Sequence, residues 1–316
     1  MVRERRVLAI SGGVGGAKLA LGLSAVLDPQ ELLIVANTGD DFEHLGLLIC
    51  PDIDTLMYTL AGVADPQRGW GLAGESWHCL EALRRLDGPH WFALGDRDLA
   101  THLQRAELLR AGATLSQVTA QLCATMGVRH AVVPMSDDPV RTIVETDQGR
   151  LAFQEYFVRE QCAPVVQGVF FEGSAKARPS AAIADWLAPD SGCGVLICPS
   201  NPFLSVDPVL ALPGIREQLA ACAVVAVSPI VGGRALKGPA AKMMAELGLQ
   251  ASALDVARHY RGLVNGFVID TADAADAAAI RALGMEVLVT DTIMGTIEDK
   301  RRLATEAIEL LQRMVT

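Results

Sequence analysis

Short runs of aliphatic and β-branched residues recur along the chain. They are Val7–Ile10, Leu32–Ala36, Ala131–Val133, Val195–Cys198, Ala223–Val227, Phe267–Ile269 and Val287–Val289. Each is continuous rather than alternating, as in strands covered on both faces. Helical spacing of apolar positions falls between many of them. It covers Gly16–Val26 after the first run, Ile215–Cys222 before the run at Ala223, Ala274–Leu283 before that at Val287, and Ile297–Met314 at the end. Strand and helix in alternation predict an α/β fold with a Rossmann-like, doubly wound, mostly parallel sheet.

Two stretches break this rhythm. From about 58 to 126 the pattern is mostly helical, clearest over Thr101–Ala111 and Thr114–Met126, and predicts a helical insertion packed down by Trp70, Trp77 and Trp91. Arg141–Thr146, a turn at Gln148-Gly149, and Leu151–Val158 predict a hairpin, added antiparallel to the sheet edge. No repeat, low-complexity tract or linker divides the chain, so 1–316 is expected to form a single α/β domain.

Composition narrows the function classes. At 51% hydrophobic and 20% charged residues the chain is too apolar for disorder. Lysine plus arginine total 27 and aspartate plus glutamate 37, a net charge of −10. That balance argues against coating nucleic acid or an anionic membrane. No apolar run approaches the roughly 18 residues of a membrane span. The first apolar run breaks at Ser11-Gly12-Gly13, so it reads as a strand and not a signal peptide. Seven cysteines without a CxxC pair suit reduced thiols in a cytoplasmic protein. A chain this apolar is expected to form a symmetric homodimer.

Candidate chemistry lies at the ends of the strand runs. Gly12, Gly13, Gly15 and Gly16 follow the first strand and open a helix. Glycines let backbone amides approach a ligand, and a helix N-terminus attracts phosphate. The spacing matches neither the dinucleotide fingerprint nor the P-loop. Lys18 either reaches a phosphate or stays solvated. After the second strand come Asp40 and Asp41, then Asp52 and Asp54. Four acids on two loops favour a divalent cation on at least one pair, since Mg²⁺ is held by one or two carboxylates plus substrate phosphates. Asp52 and Asp54 would point the same way on an extended segment. One of the four is expected instead to cap a turn or the helix near Thr55.

Ser200, Asn201 and Pro202 follow the strand at Val195, where Asn201 offers a donor and an acceptor to a base or ribose, or else caps a turn. Gly232, Gly233, Arg234, Lys237 and Gly238 follow the strand at Ala223 and form the most basic glycine-rich phosphate site of the second half, or else a mobile loop.

The ordered set of motifs resembles the 2-phospho-L-lactate transferase family of coenzyme F420 biosynthesis. It runs from Ile10–Leu19 through Asn37–Asp41, Pro51–Thr55, Leu94–His102, Ser136–Val140, Phe153–Val158, Pro199–Pro202, Ser228–Gly233 and Leu236–Pro239 to Thr290–Met294, nearly the whole chain. The resemblance implies a Mg²⁺-dependent transfer to the deazaflavin Fo from a GDP-linked three-carbon phosphoacid (phosphoenolpyruvyl, 2-phospholactyl or 3-phosphoglyceryl). The ribityl hydroxyl of Fo would attack phosphorus and release GMP, giving F420-0 or its dehydro form. Asp40 and Asp54 would hold the metal with Asp41 or Asp52 nearby, and one aspartate off the metal would take the proton. Asp96, Arg97 and His102 would lie near the acceptor. The rival expectation is a sugar-nucleotide-binding regulator of the related family, without turnover. A nicotinamide oxidoreductase is disfavoured by the glycine spacing.

Overall fold

A computed structural model of the protein describes residues 6–189, 191–235 and 240–314. The chain runs β1 (Arg6–Ser11), α1 (Gly13–Ser24), β2 (Leu32–Ala36), β3 (Phe42–His44), β4 (Leu47–Ile49), α2 (Pro51–Leu60), α3 (His78–Arg85), α4 (Asp96–Arg110), α5 (Leu115–Thr125) and β5 (Ala131–Pro134). It continues through β6 (Arg141–Thr146), β7 (Gly149–Ala152), β8 (Val166–Glu172), α6 (Ala181–Trp186), β9 (Cys193–Ile197), α7 (Asp207–Leu210), α8 (Ile215–Ala220) and β10 (Val224–Val227). It closes with β11 (Ile230–Val231), β12 (Arg234–Ala235), α9 (Ala240–Glu246), α10 (Ala253–His259), β13 (Gly266–Asp270), α11 (Ala277–Arg281), β14 (Glu286–Thr290) and α12 (Ile297–Gln312).

Each continuous apolar run lies in a strand of one seven-stranded sheet, in the order β14-β13-β10-β9-β1-β2-β5. Every pairing in it is parallel. The α/β, Rossmann-like fold predicted by the pattern is the fold observed. One face buries α1, α2, α5 and α12 and the other α6 to α11, which is why these strands carry apolar side chains on both sides. The strand order reverses between β1 and β9. Ligands of open α/β sheets bind at such a switch point, outside the carboxyl ends of the strands. Among the described residues no helix is long and apolar enough to cross a membrane.

Three details differ from the sequence pattern. Helix α5 packs Val118 and Leu122 into the central core as the crossover into β5, so the segment standing apart from the sheet is shorter than 58–126. The tryptophans pack in two separate places: Trp70, 42% exposed, and Trp77 both meet Arg68, while Trp91 meets Phe42, His44 and Phe92 against the β3–β4 hairpin. The 141–172 strands form their own antiparallel sheet, β7-β6-β8, rather than extending the central one. Its second strand stops at Ala152, and Glu155–Arg159 is a π-helical turn. Phe153 and Tyr156 share one small core with Val144, Val166 and Leu204. A three-residue spacing puts two side chains on opposite faces of a strand but on one side of a helical turn. This small sheet reaches the central one through Thr142, whose N–H donates to the Gly39 carbonyl at 2.7 Å.

Candidate active site

The glycine turn between β1 and α1 is pressed against the turn after β9. A Cβ on Gly12 would stand 2.5 Å from Ser205 Cβ and 2.6 Å from Asp52 Oδ2; on Gly15, 2.5 Å from the Pro199 carbonyl; on Gly16, 2.5 Å from Ser11 Oγ and 2.6 Å from Ser200 Oγ. These glycines therefore serve close approach of two backbone turns. Only Gly13, at φ +64°, faces open space. Two amides that the sequence reserves for phosphate have protein partners. Gly12 N–H donates to Ser200 Oγ at 3.1 Å and Gly13 N–H to Asp52 Oδ1 at 2.6 Å. Helix α1 has no acid in its first turn and no side-chain cap. Asp52 supplies that negative charge from α2, as a phosphate would. Lys18 is half-buried further along α1.

After β9, Ser200 is buried and Pro202 occupies the first position of a π-helical turn, Pro202–Val206. Asn201 Oδ1 caps that turn, accepting from Phe203 N–H at 3.0 Å and Leu204 N–H at 3.4 Å. Its Nδ2 is buried without a partner among the described residues.

The acids converge on the same place. Asp40, Asp41, Asp52 and Asp54 are at most 7% exposed. Asn37 organises them: its Nδ2 donates to Asp52 Oδ2 at 2.9 Å and to the Leu204 carbonyl at 3.2 Å, and its Oδ1 accepts from Gly39 N–H. Burial, together with the charge of Asp52, raises the Asp40 carboxyl well above its ordinary range. Burial raises Asp41 to about 8 against the pull of Cys50, Arg141 and Arg105. Burial raises Asp52 too, opposed by its bonds from Asn37 and Gly13. Oδ1 of Asp40, Oδ1 of Asp41, Ser11 Oγ and Thr142 Oγ1 are all buried without a hydrogen-bond partner among the described residues. Buried like charges with idle oxygens form a site that favours a cation. Among the described residues, no three His, Cys, Asp or Glu side chains are already grouped as a metal cage.

Asp52 and Asp54 do not point the same way. Pro51 opens α2, so both acids lie in its first helical turn. Two residues along a helix turn the side chain by about 200°. Asp54 faces α4, where the Arg105 guanidinium grips both of its oxygens and His102 Nδ1 lies 3.7 Å away. Its negative charge is thereby committed to a buried ion pair, unlike that of Asp40.

Asp96, Arg97 and His102 also have protein partners. Asp96 accepts from Ser76 Oγ, His78 N–H and Cys79 N–H. Arg97 donates to the Ala73 carbonyl at 2.6 Å, and Glu75 accepts from the Arg97 and Asp98 amides. His102 is 1% exposed beside Arg105.

In the second half, Gly232 (φ +56°) and Gly233 (φ +73°) turn between β11 and β12. Gly232 N–H donates to the Asp273 carboxylate, at 3.0 Å from Oδ2. This turn, like the first, holds an internal carboxylate. Arg234 is exposed on β12, and Lys237 and Gly238 lie outside the described residues.

Sequence patterns missed Asn37 as organiser, Thr142 as a visitor from the small sheet, and Arg105. Asn37 stands in a quoted motif beside the acids, so its position was available as a signal. Arg105 offered none: an arginine within a polar helix reads as solvated.

Comparison with known proteins adds an independent finding. The family model of the 2-phospho-L-lactate transferase CofD matches residues 7–307. A phosphoenolpyruvate transferase of Kitasatospora aureofaciens is 41% identical, covering 98% of each chain. A 2-phospho-L-lactate transferase of Methanosarcina acetivorans is 38% identical over 96% of this chain and 98% of its own. A crystal structure of a Bacillus halodurans protein of the UPF0052 family superposes with a TM-score of 0.62 at 15% identity, over 98% of this chain and 100% of that one. At that identity the likeness is one of fold.

Proposed function

The chain belongs to the 2-phospho-L-lactate transferase family and is a transferase enzyme; on that premise we propose that it moves a phosphoenolpyruvyl, 2-phospholactyl or 3-phosphoglyceryl group from a GDP-linked donor to the terminal ribityl hydroxyl of Fo, releasing GMP and forming F420-0 or its dehydro form. Beside family membership, the observation that carries this reading is the set of buried acids with idle oxygens at the sheet's switch point.

Those residues fit Mg²⁺. Asp40 would hold it with Asp52 or Asp41, the remaining positions being left to the donor's phosphates and water. Asp54 enters as the counter-ion of Arg105 rather than as a ligand. When bound, the ion supplies positive charge to the diphosphate and to the charge that develops on transfer.

The chain's own groups do the rest. The turns at Gly12–Gly16 and Ser200–Asn201 stand at the carboxyl ends of β1 and β9, where the diphosphate would lie, and the unpartnered Asn201 Nδ2 is a donor for the nucleotide. A buried aspartate off the metal takes the ribityl proton; Asp41, raised to about 8, is suited to hold a proton near neutral pH. Burial of the acids excludes water, which favours transfer to Fo over hydrolysis. Gly232, Gly233, Arg234, Lys237 and Gly238 extend the donor site in this reading. We place the enzyme in the cytoplasm as a homodimer, in keeping with its seven unpaired cysteines and apolar composition.

GMP release from the GDP-linked donor tests the proposal. Release that requires both Fo and Mg²⁺ supports it; release that ignores Fo contradicts the transfer.

A further inference from the structure

Arg105 lies on α4, outside the central sheet, yet it is 0% exposed. Its Nη1 donates to Asp54 Oδ2 at 3.1 Å and its Nη2 to Asp54 Oδ1. Nη1 also lies 3.0 Å from His102 Nδ1. A guanidinium has no acceptor, so Nδ1 accepts and the ring proton sits on Nε2. That nitrogen is 3.4 Å from Asp98 Oδ1, too poorly aligned for a full hydrogen bond. Tyr58 Oη donates to the same Asp98 oxygen at 2.6 Å. Asp54 and Tyr58 are one turn apart on α2, and Asp98, His102 and Arg105 form one stripe of α4. Two polar ties therefore join the helices.

Packing alone would join two helices at lower cost, because a buried ion pair loses much of its attraction to desolvation. What the pair adds is a fixed orientation. Asp54 shares the first turn of α2 with Asp52, and the two face opposite ways. A guanidinium holding both oxygens of Asp54 fixes the rotation of that turn. The rotation in turn sets where Asp52 meets Gly13 N–H and Asn37 Nδ2.

We propose that Arg105 is a positioning residue of the transferase, clamping Asp54 from α4 so that the first turn of α2 aims Asp52 at the glycine turn. The kinetic part rests on the function proposed above; the structural part does not.

The test uses the full chain and the paired variant Asp54→Asn/Arg105→Gln, which removes both buried charges and keeps hydrogen-bonding groups. Hydrogen exchange of the Gly13 amide is followed without metal, and steady-state kinetics with Fo, donor and Mg²⁺. The expected result is exchange faster by about tenfold, and kcat lower by about tenfold with both KM values within about twofold. Wild-type exchange and wild-type kcat in the paired variant would overturn the proposal. If the unaltered protein shows no turnover, the function fails, and Gly13 exchange alone decides the positioning. If the paired variant does not fold, Arg105→Lys takes its place, since it keeps the charge but loses the two-pronged grip; the same two results decide.

Discussion

Asp52 and Asp54 stand two residues apart in one helical turn and serve opposite partners: Asp52 accepts the Gly13 amide at 2.6 Å, and Asp54 is held by Arg105 on α4. One turn of α2 thus links the glycine loop at the head of α1 to the inserted helix. Loss of either acid has a different consequence.

Asp40→Asn removes an acid whose buried Oδ1 has no hydrogen-bond partner among the described residues. It should lower kcat about 100-fold, the scale on which groups supporting a metal act. Mg²⁺ is expected to raise the melting temperature of the wild type, and Asp40→Asn should abolish that rise. Unchanged turnover and an unchanged Mg²⁺ response would remove Asp40 from the metal site. Asp54→Asn should instead lose stability, by about 3–5 kcal/mol, because it leaves Arg105 buried and unpaired. Chemical denaturation measures this.

The pH dependence of stability follows from Asp41. Its folded pKa, about 8, lies above the ordinary 3.8. The folded state keeps this proton where the unfolded chain releases it. Asp41 therefore opposes folding increasingly as pH rises from about 4 to 8, and by a constant amount above that. With metal chelated, Asp41→Asn should flatten the decline in melting temperature across this window. A decline as steep as that of the wild type would contradict the assignment.

The glycines separate steric need from conformational need. Gly15→Ala drives a Cβ to 2.5 Å from the Pro199 carbonyl and should cost about 1–3 kcal/mol while parting the two turns. Gly13→Ala meets open space and should cost about 1–2 kcal/mol through its φ of +64° alone. Thermal melts of both, with donor binding by calorimetry, test the distinction. Donor affinity should fall in the first and hold in the second.

Asp273→Ala should free the Gly232 amide, worth about 1.5–3 kcal/mol of local stability for a bond to a charged acceptor. Faster exchange at Gly232 with no change in global stability is the expected result. Unaltered exchange would mean that the β11–β12 turn holds itself.

The sheet was legible because its apolar runs are short, rich in β-branched residues and bounded by turn residues, which separates buried strands from buried helices. The glycine turn and all four acids were legible as types in a pattern. Their partners were not, because partners depend on helix docking. Asp52 and Asp54 looked parallel only if Cys50–Thr55 is extended, whereas Pro51 starts a helix there. Arg105 is buried because α4 seats against α2, a contact between segments 51 residues apart. The glycine-rich pattern makes Gly232 a phosphate donor, whereas a carboxylate 41 residues later takes its amide. Asn201 was open to two roles, and its two ends divide them: Oδ1 caps a turn while Nδ2 stays unpartnered. The hairpin was half legible, since Phe153 and Tyr156 obey a helical spacing inside a stretch of otherwise strand-like composition.

The most direct measurement is mass spectrometry of the product made by the full chain from Fo and Mg²⁺ with each GDP-linked three-carbon acid in turn. The account predicts a deazaflavin carrying a new phosphodiester to the acid, with one GMP per product, from at least one of the three donors. Intact Fo with all three donors, while a UDP-sugar binds tightly, would contradict it.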